Sequence, residues 1–187
     1  NPTAEAIDLT DYEIWYINSS GSGGEWGEKK LLFNKSESAS EDGTAGSSGS
    51  SVTNSADQQC SSNFDPETNT DSGVDCTISS IASGETLIIV KADSYLDCDD
   101  VNVENWIEWS SLNPGGDDAI GLYYSGVGII DGIGESGPDP GSGWDVAGVN
   151  DATKDAQLVR KSEIYSTNSS WSSSAGTDSD DSEWIVY

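Results

Sequence analysis

Apolar and aromatic residues recur along this chain with a period of two, in short runs separated by Gly, Ser, Asn and Asp. That spacing predicts strands, because successive side chains of an extended backbone point to opposite faces. Tyr12-Glu13-Ile14-Trp15-Tyr16-Ile17 is a strand rich in aromatic and β-branched residues. The stretch from Lys29 to Phe33 follows a Gly/Ser turn region and places Leu31 and Phe33 on one face. A short strand is expected within Cys76 to Ile81, then a turn at Ser83-Gly84-Glu85. From Thr86 to Ala92 the run Leu87-Ile88-Ile89-Val90 is apolar on both faces, which predicts a central strand. From Val103 to Trp109, Val103, Ile107 and Trp109 share a face.

Asn113-Pro114-Gly115-Gly116 is a turn signal. Ala119 to Tyr124 reads as a strand with Ile120, Leu122 and Tyr124 on one side. Ser125-Gly126 reads as a two-residue hairpin turn, after which Val127 to Ile133 returns antiparallel. A Gly/Pro-rich loop follows, and Gln157 to Lys161 and Glu183 to Tyr187 are the last strands. About eight strands punctuated by turns imply an all-β fold, an antiparallel β-sandwich with long Ser/Gly-rich loops.

One stretch breaks the alternation. Residues 34–59 carry Ser-Glu-Ser-Ala-Ser and Gly-Ser-Ser-Gly-Ser-Ser, which hold too little apolar surface to offset the entropy of ordering them. The chain of 187 residues is therefore expected to be a single domain, 1–187, with a low-complexity insertion over about 34–75.

Charge narrows the range of functions. Thirty-four acidic residues against seven basic ones give a net charge of −27. Nucleic acid and anionic membrane surfaces repel such a chain, so neither is an expected partner. No apolar run approaches the length of a membrane span, so no membrane insertion is expected. Histidine is absent, which removes the imidazole base, the imidazole metal ligand and the Ser-His-Asp triad. A glycosidase would need two carboxylates about 5–10 Å apart across a cleft, and nothing in the sequence marks such a pair. The expectation is a chain without enzymatic activity that requires no cofactor.

Several side chains remain as candidates. Asp97, Asp99 and Asp100 form an acidic cluster that can supply oxygen ligands to calcium, as can Asp117-Asp118 and Asp178, Asp180 and Asp181. Turn chemistry explains such aspartates equally well. Asn18, Asn34 and Asn168 each begin an N-glycosylation acceptor triplet. Seven tryptophans suit a β core, while Trp15, Trp26, Trp144 and Trp171 are candidates for stacking on glycan rings. Gly132-Ile133-Gly134 lacks the spacing of a phosphate loop and reads as a turn. Three cysteines, none in a CxxC pair, point to an oxidising extracellular setting. A disulfide between Cys60 and Cys76 would constrain the Ser/Asn/Asp-rich loop between them. Cys98 would then be a free thiol or pair with a segment outside this chain, and the sequence leaves all three pairings open.

The order of motifs also carries a resemblance. Gly116-Asp117-Asp118-Ala119-Ile120-Gly121-Leu122 precedes Ile129-Ile130-Asp131-Gly132-Ile133-Gly134. Then come Asp139-Pro140-Gly141, Gly143-Trp144, Thr153-Lys154-Asp155 and Leu158-Val159-Arg160-Lys161. The chain closes on Asn168-Ser169-Ser170-Trp171 and Asp181-Ser182-Glu183-Trp184-Ile185-Val186. Together with the opening Asn1-Pro2, Ala6-Ile7-Asp8-Leu9 and Tyr12, and with Ser83-Gly84-Glu85-Thr86-Leu87, this resembles the lamin-tail-like domain of secreted bacterial proteins. The resemblance implies an immunoglobulin-like sandwich that accompanies extracellular hydrolases, nucleases and adhesin-like surface proteins. The family usually begins with one or two further strands and often runs on past the position of Tyr187. A sandwich lacking an outer strand has an open edge, which a strand from a neighbouring chain can fill. The expectation is thus an extracellular or cell-surface structural or adhesive module, self-associating into a polymer by strand complementation. The alternative is an accessory glycan- or calcium-binding domain of a larger secreted hydrolase or nuclease.

Overall fold

The structure, a computed structural model, describes residues 1, 3–18, 23–33, 52–53, 59–65, 70–76, 80–91, 105–109, 111–137 and 139–187. The strands are β1 (Ile7–Asp8), β2 (Tyr12–Ile17), β3 (Lys29–Phe33), β4 (Val52–Thr53), β5 (Gln59–Asp65), β6 (Thr70–Cys76), β7 (Ser80–Ile81), β8 (Leu87–Lys91), β9 (Asn105–Trp109), β10 (Ala119–Tyr124), β11 (Gly128–Ile133), β12 (Leu158–Arg160) and β13 (Trp184–Val186). The helix α1 (Trp171–Ala175) lies between the last two. The fold is all-β, and most of its strand pairs are antiparallel. No described helix is long and apolar enough to cross a membrane.

The chain forms two compact units, one of Asn1–Glu13 and Lys29–Asn113, the other of Ile14–Glu28 and Pro114–Tyr187. In the first unit β3, β6, β5 and β4 are hydrogen-bonded in that order. Strands β3 and β6 run parallel and β6 and β5 antiparallel, so Cys76 stands opposite Phe33 on one side and opposite Cys60 on the other. Strands β1 and β7 pair over two residues each. Asn1 holds this short pair in place: its side-chain nitrogen donates to the carbonyls of Ile81 at 2.8 Å and Glu5 at 3.0 Å, while its oxygen accepts from the Thr3 amide at 2.9 Å. The buried apolar residues of this unit are Leu9, Leu31, Phe33, Ile107, Trp109 and Leu112. Leu31/Phe33 and Ile107/Trp109 are the two pairs that the alternation places on one face.

In the second unit the strand order is β2, β10, β11, with Ile14 onward as its part of β2. Strands β10 and β11 form the expected antiparallel hairpin, but its turn is longer than two residues. Tyr124 pairs with Gly128, and the Val127 amide donates to the Tyr124 carbonyl at 3.1 Å, leaving three residues in the loop. Gly126 and Gly128 both have positive φ, 76° and 112°, where a side chain is strained. Strand β10 turns its small residues inward: Ala119 and Gly121 are buried, while Ile120, Leu122 and Tyr124 are half-buried. The Trp26 ring lies over Gly121, where an added Cβ would come within 3.1 Å of it. A second core gathers Val146, Ala152, Trp171, Ala175 and Trp184, with Ile133, Trp144, Leu158 and Val186 packed against it.

Three elements depart from the sequence-based expectations. Strand β8 forms at Leu87–Lys91, and among the described residues it has one strand neighbour rather than two. It pairs in parallel with β9 in a two-stranded sheet, and its four apolar side chains are only half-buried. Strands β4, β5 and β6 fall within the expected insertion over 34–75. QCSSNFD and TDSGVDC are too polar to signal strands, and it is backbone pairing with β3 and with each other that orders them. Helix α1 has only five residues and no side-chain N-cap hydrogen bond, so it left neither a periodic pattern nor a cap signal.

Candidate functional site

A network of polar groups forms in the second unit around Arg160. Antiparallel pairing of β12 with β13 sets Arg160 opposite Trp184, and the guanidinium carbon lies 4.7 Å from the centre of the Trp184 ring, a cation–π distance. One guanidinium nitrogen donates to both carboxylate oxygens of Asp131 on β11, at 2.7 and 2.9 Å. The other donates to Glu183 Oε2. Glu183 Oε1 accepts from the Asn168 side chain at 2.8 Å, and Oε2 also accepts from Ser174 Oγ at 3.0 Å. Ser174 is fully buried on α1 and accepts in turn from Trp184 Nε1 at 2.8 Å. Its carbonyl accepts the Glu183 amide at 2.9 Å.

Local chain geometry makes this possible. Gly176 ends α1 with φ at 67°, and a Cβ there would lie 2.5 Å from Asp181 Oδ1 and from Ser182 backbone atoms. Only glycine lets the chain turn from α1 back into β13.

The arrangement is a clamp. One cation joins β11, β12 and the residue before β13, and the helix closes over it. Burial alone lowers the Arg160 pKa, but hydrogen bonds and charges from Asp131 and Glu183 outweigh it and the net shift is upward. For Glu183, burial alone raises the pKa; hydrogen bonds from Asn168, Ser174 and Arg160, with the Arg160 charge, overcome this and hold the carboxyl below its ordinary value. With both Glu183 oxygens engaged, the group stays ionised and accepts hydrogen bonds. Arg160, Asp131 and Glu183 appear in the sequence only as letters of longer motifs. The usable signal was a rare cation inside the strand Leu158-Val159-Arg160, which needs inward-facing carboxylates in so acidic a chain.

The aspartate pairs serve turns. Asp118 is buried, and one carboxylate oxygen accepts from Tyr16 Oη at 2.9 Å and the Gly115 amide at 2.7 Å. Asp178 Oδ1 accepts from the amides of Asp180 and Asp181. Asp181 accepts from the Asp178 amide and from the amide and hydroxyl of Thr177, which lower its pKa, the Asp178 amide most. Among the described residues no group of three or more His, Cys, Asp or Glu is arranged to hold a metal. Asp97, Asp99, Asp100, Cys98 and Asn34 lie outside the described residues.

Asn18 is exposed just after β2. The Asn168 side-chain nitrogen, the atom a glycan would be attached to, is committed to Glu183. Cys60 and Cys76 are partners across β5 and β6. Such partners have Cα atoms about 4.5–5.5 Å apart, within the roughly 4.4–6.8 Å that a disulfide spans.

The tryptophans divide. Trp171 is buried and meets Trp144 edge-on at 6.3 Å and Trp184 at 6.5 Å, so Trp144 and Trp171 serve the core. Trp15 is half-buried and stacks on Tyr123 at 4.1 Å. Apolar surface is left outside on β12 and β13. Val159 and Ile185 are cross-strand partners, 37% and 40% exposed, and Tyr187 beyond them is 70% exposed. No family model matches this chain, and no curated protein or solved structure is significantly similar to it.

Proposed function

We propose that this chain is a non-enzymatic structural or adhesive module of the extracellular space or cell surface, of the lamin-tail-like, immunoglobulin-like type, which polymerises by exchanging strands between neighbouring copies. The observation that carries the proposal is a set of undersized sheets among the described residues. Strands β8–β9 and β12–β13 are each two-stranded among the described residues. A two-stranded sheet is marginal in isolation and gains stability when a further strand is added. In this reading calcium is an accessory rather than a requirement. A second reading, a glycan-binding accessory domain, is supported by the half-buried stacked rings of Trp15 and Tyr123.

Native material examined by sedimentation velocity and electron microscopy over rising concentration is expected to show polymers. They should form more readily as salt is added, because copies of charge −27 repel until that charge is screened. A folded, monodisperse monomer at every concentration and ionic strength overturns the proposal.

The extracellular assignment also predicts that Cys60 and Cys76 are bridged. A non-reducing peptide map should recover the two segments as one linked species that reduction separates. Recovery of both as free thiols from carefully oxidised native material would contradict it.

A further inference from the structure

We infer that ionic strength is a stability switch for the second unit: its fold is held weakly in dilute solution and firmly in salt, through a diffuse cloud of monovalent cations rather than a bound ion. The unit of Ile14–Glu28 and Pro114–Tyr187 carries fifteen side-chain carboxylates against three cations, Lys154, Arg160 and Lys161, a net charge of −12. Three cations cannot neutralise fifteen anions, and two of the three are committed locally. Arg160 is shared between Asp131 and Glu183. Lys161 Nζ donates to the Ser179 carbonyl at 2.7 Å, inside the turn that holds Asp178, Asp180 and Asp181. That turn concentrates repulsion. All three aspartates are exposed, and Asp178 and Asp181 each accept the other's amide, which brings two carboxylates into one turn with Lys161 beside them.

Screening lengths decide how far this repulsion reaches. The Debye length is about 30 Å at 0.01 M salt and about 3 Å at 1 M, while a compact unit of this length has a radius of gyration of about 12 Å. In dilute solution every carboxylate of the unit therefore repels every other. This self-repulsion opposes the compact state, and unfolding relieves it by spreading the charges apart. In molar salt only immediate neighbours still interact. The partly buried clamp around Arg160 is screened much less than the exposed charges. Salt thus removes the repulsion while leaving the attraction that joins β11, β12 and β13. The effect belongs to a single copy of the chain and needs no assembly.

The test follows thermal unfolding by tryptophan fluorescence, since five of the seven tryptophans lie in this unit, between about 0.01 and about 1 M salt. Samples are kept dilute enough to sediment as monomer, and each melt is repeated after a further dilution of the protein. The wild-type melting temperature is expected to rise by about 10 °C, equally in NaCl, KCl and tetramethylammonium chloride. Glu135, Asp155 and Asp180 are exposed, and none of them is among the aspartates that hold turns, so the triple variant Glu135→Gln/Asp155→Asn/Asp180→Asn changes charge alone. It should melt above wild type in dilute solution, and the two should converge in molar salt. Lys161→Gln keeps a donor for the Ser179 carbonyl; it should melt below wild type in dilute solution and converge likewise. A melting temperature that does not move with salt overturns the inference, as do variants offset from wild type equally at every salt concentration. A full rise already reached in millimolar CaCl2 would mean a bound divalent ion, and a rise that depends on protein concentration would mean assembly; either result overturns it too.

Discussion

Replacing Arg160 with methionine is expected to destabilise the second unit by about 3 kcal/mol, because two partly buried carboxylates lose the cation between them. In a thermal melt this is a drop of about 6–12 °C. Methionine preserves much of the packing against Trp184, so the loss reports on charge rather than volume. The effect should depend on pH with a definite sign. Glu183 has its pKa lowered in the folded chain, so its contribution is fully present above the unfolded value and is lost as pH falls through the lower folded one. Removing the cation takes away one of the partners that lower the Glu183 pKa, and protonation of Glu183 then relieves its repulsion with Asp131. The gap between wild type and variant should close as the melts are taken from pH 7 towards pH 3. A gap that stays constant would mean that Arg160 acts through packing alone.

Trp184→Ala is expected to cost more, about 4 kcal/mol, read from the shift in the urea unfolding midpoint at constant slope. The ring packs on Trp171 and under the Arg160 guanidinium, and its Nε1 is the donor to buried Ser174. Trp184→Phe separates these contributions. It retains most of the apolar volume but leaves the Ser174 hydroxyl without its donor, and should cost about 1–2 kcal/mol. Equal losses in the two variants would show that the hydrogen bond, rather than the filled volume, holds α1 against β13.

The strands most readable in the sequence were short apolar and aromatic runs bounded by turn residues. Tyr12–Ile17, Lys29–Phe33 and Ala119–Tyr124 occur with the expected bounds, because apolar and aromatic residues at alternate positions and flanking turn residues mark them out. Strand β8 was legible in its bounds, and among the described residues it has β9 as its strand neighbour. Strands β5 and β6 were unreadable because serine and aspartate carry no apolar pattern, and their order comes from neighbours distant in sequence. The Arg160 clamp was hidden for the same reason. Asp131, Arg160, Asn168, Ser174 and Glu183 meet only after β11, β12, α1 and β13 have taken their positions. The turn aspartates were legible as turn formers, since their acceptors bond amides two to four residues away.

The interleaving of the two units bears on how the protein is made. Ile14–Glu28 belongs with Pro114–Tyr187 although Lys29–Asn113 separates them. As the chain emerges from the ribosome or the secretion channel, Ile14 to Ile17 must wait for β10 until the whole intervening segment has been synthesised. Throughout that delay the edge of this aromatic, β-rich strand that β10 later takes stands unpaired, the condition under which nascent chains associate wrongly. A holdase that shields early segments suits such a chain better than folding segment by segment.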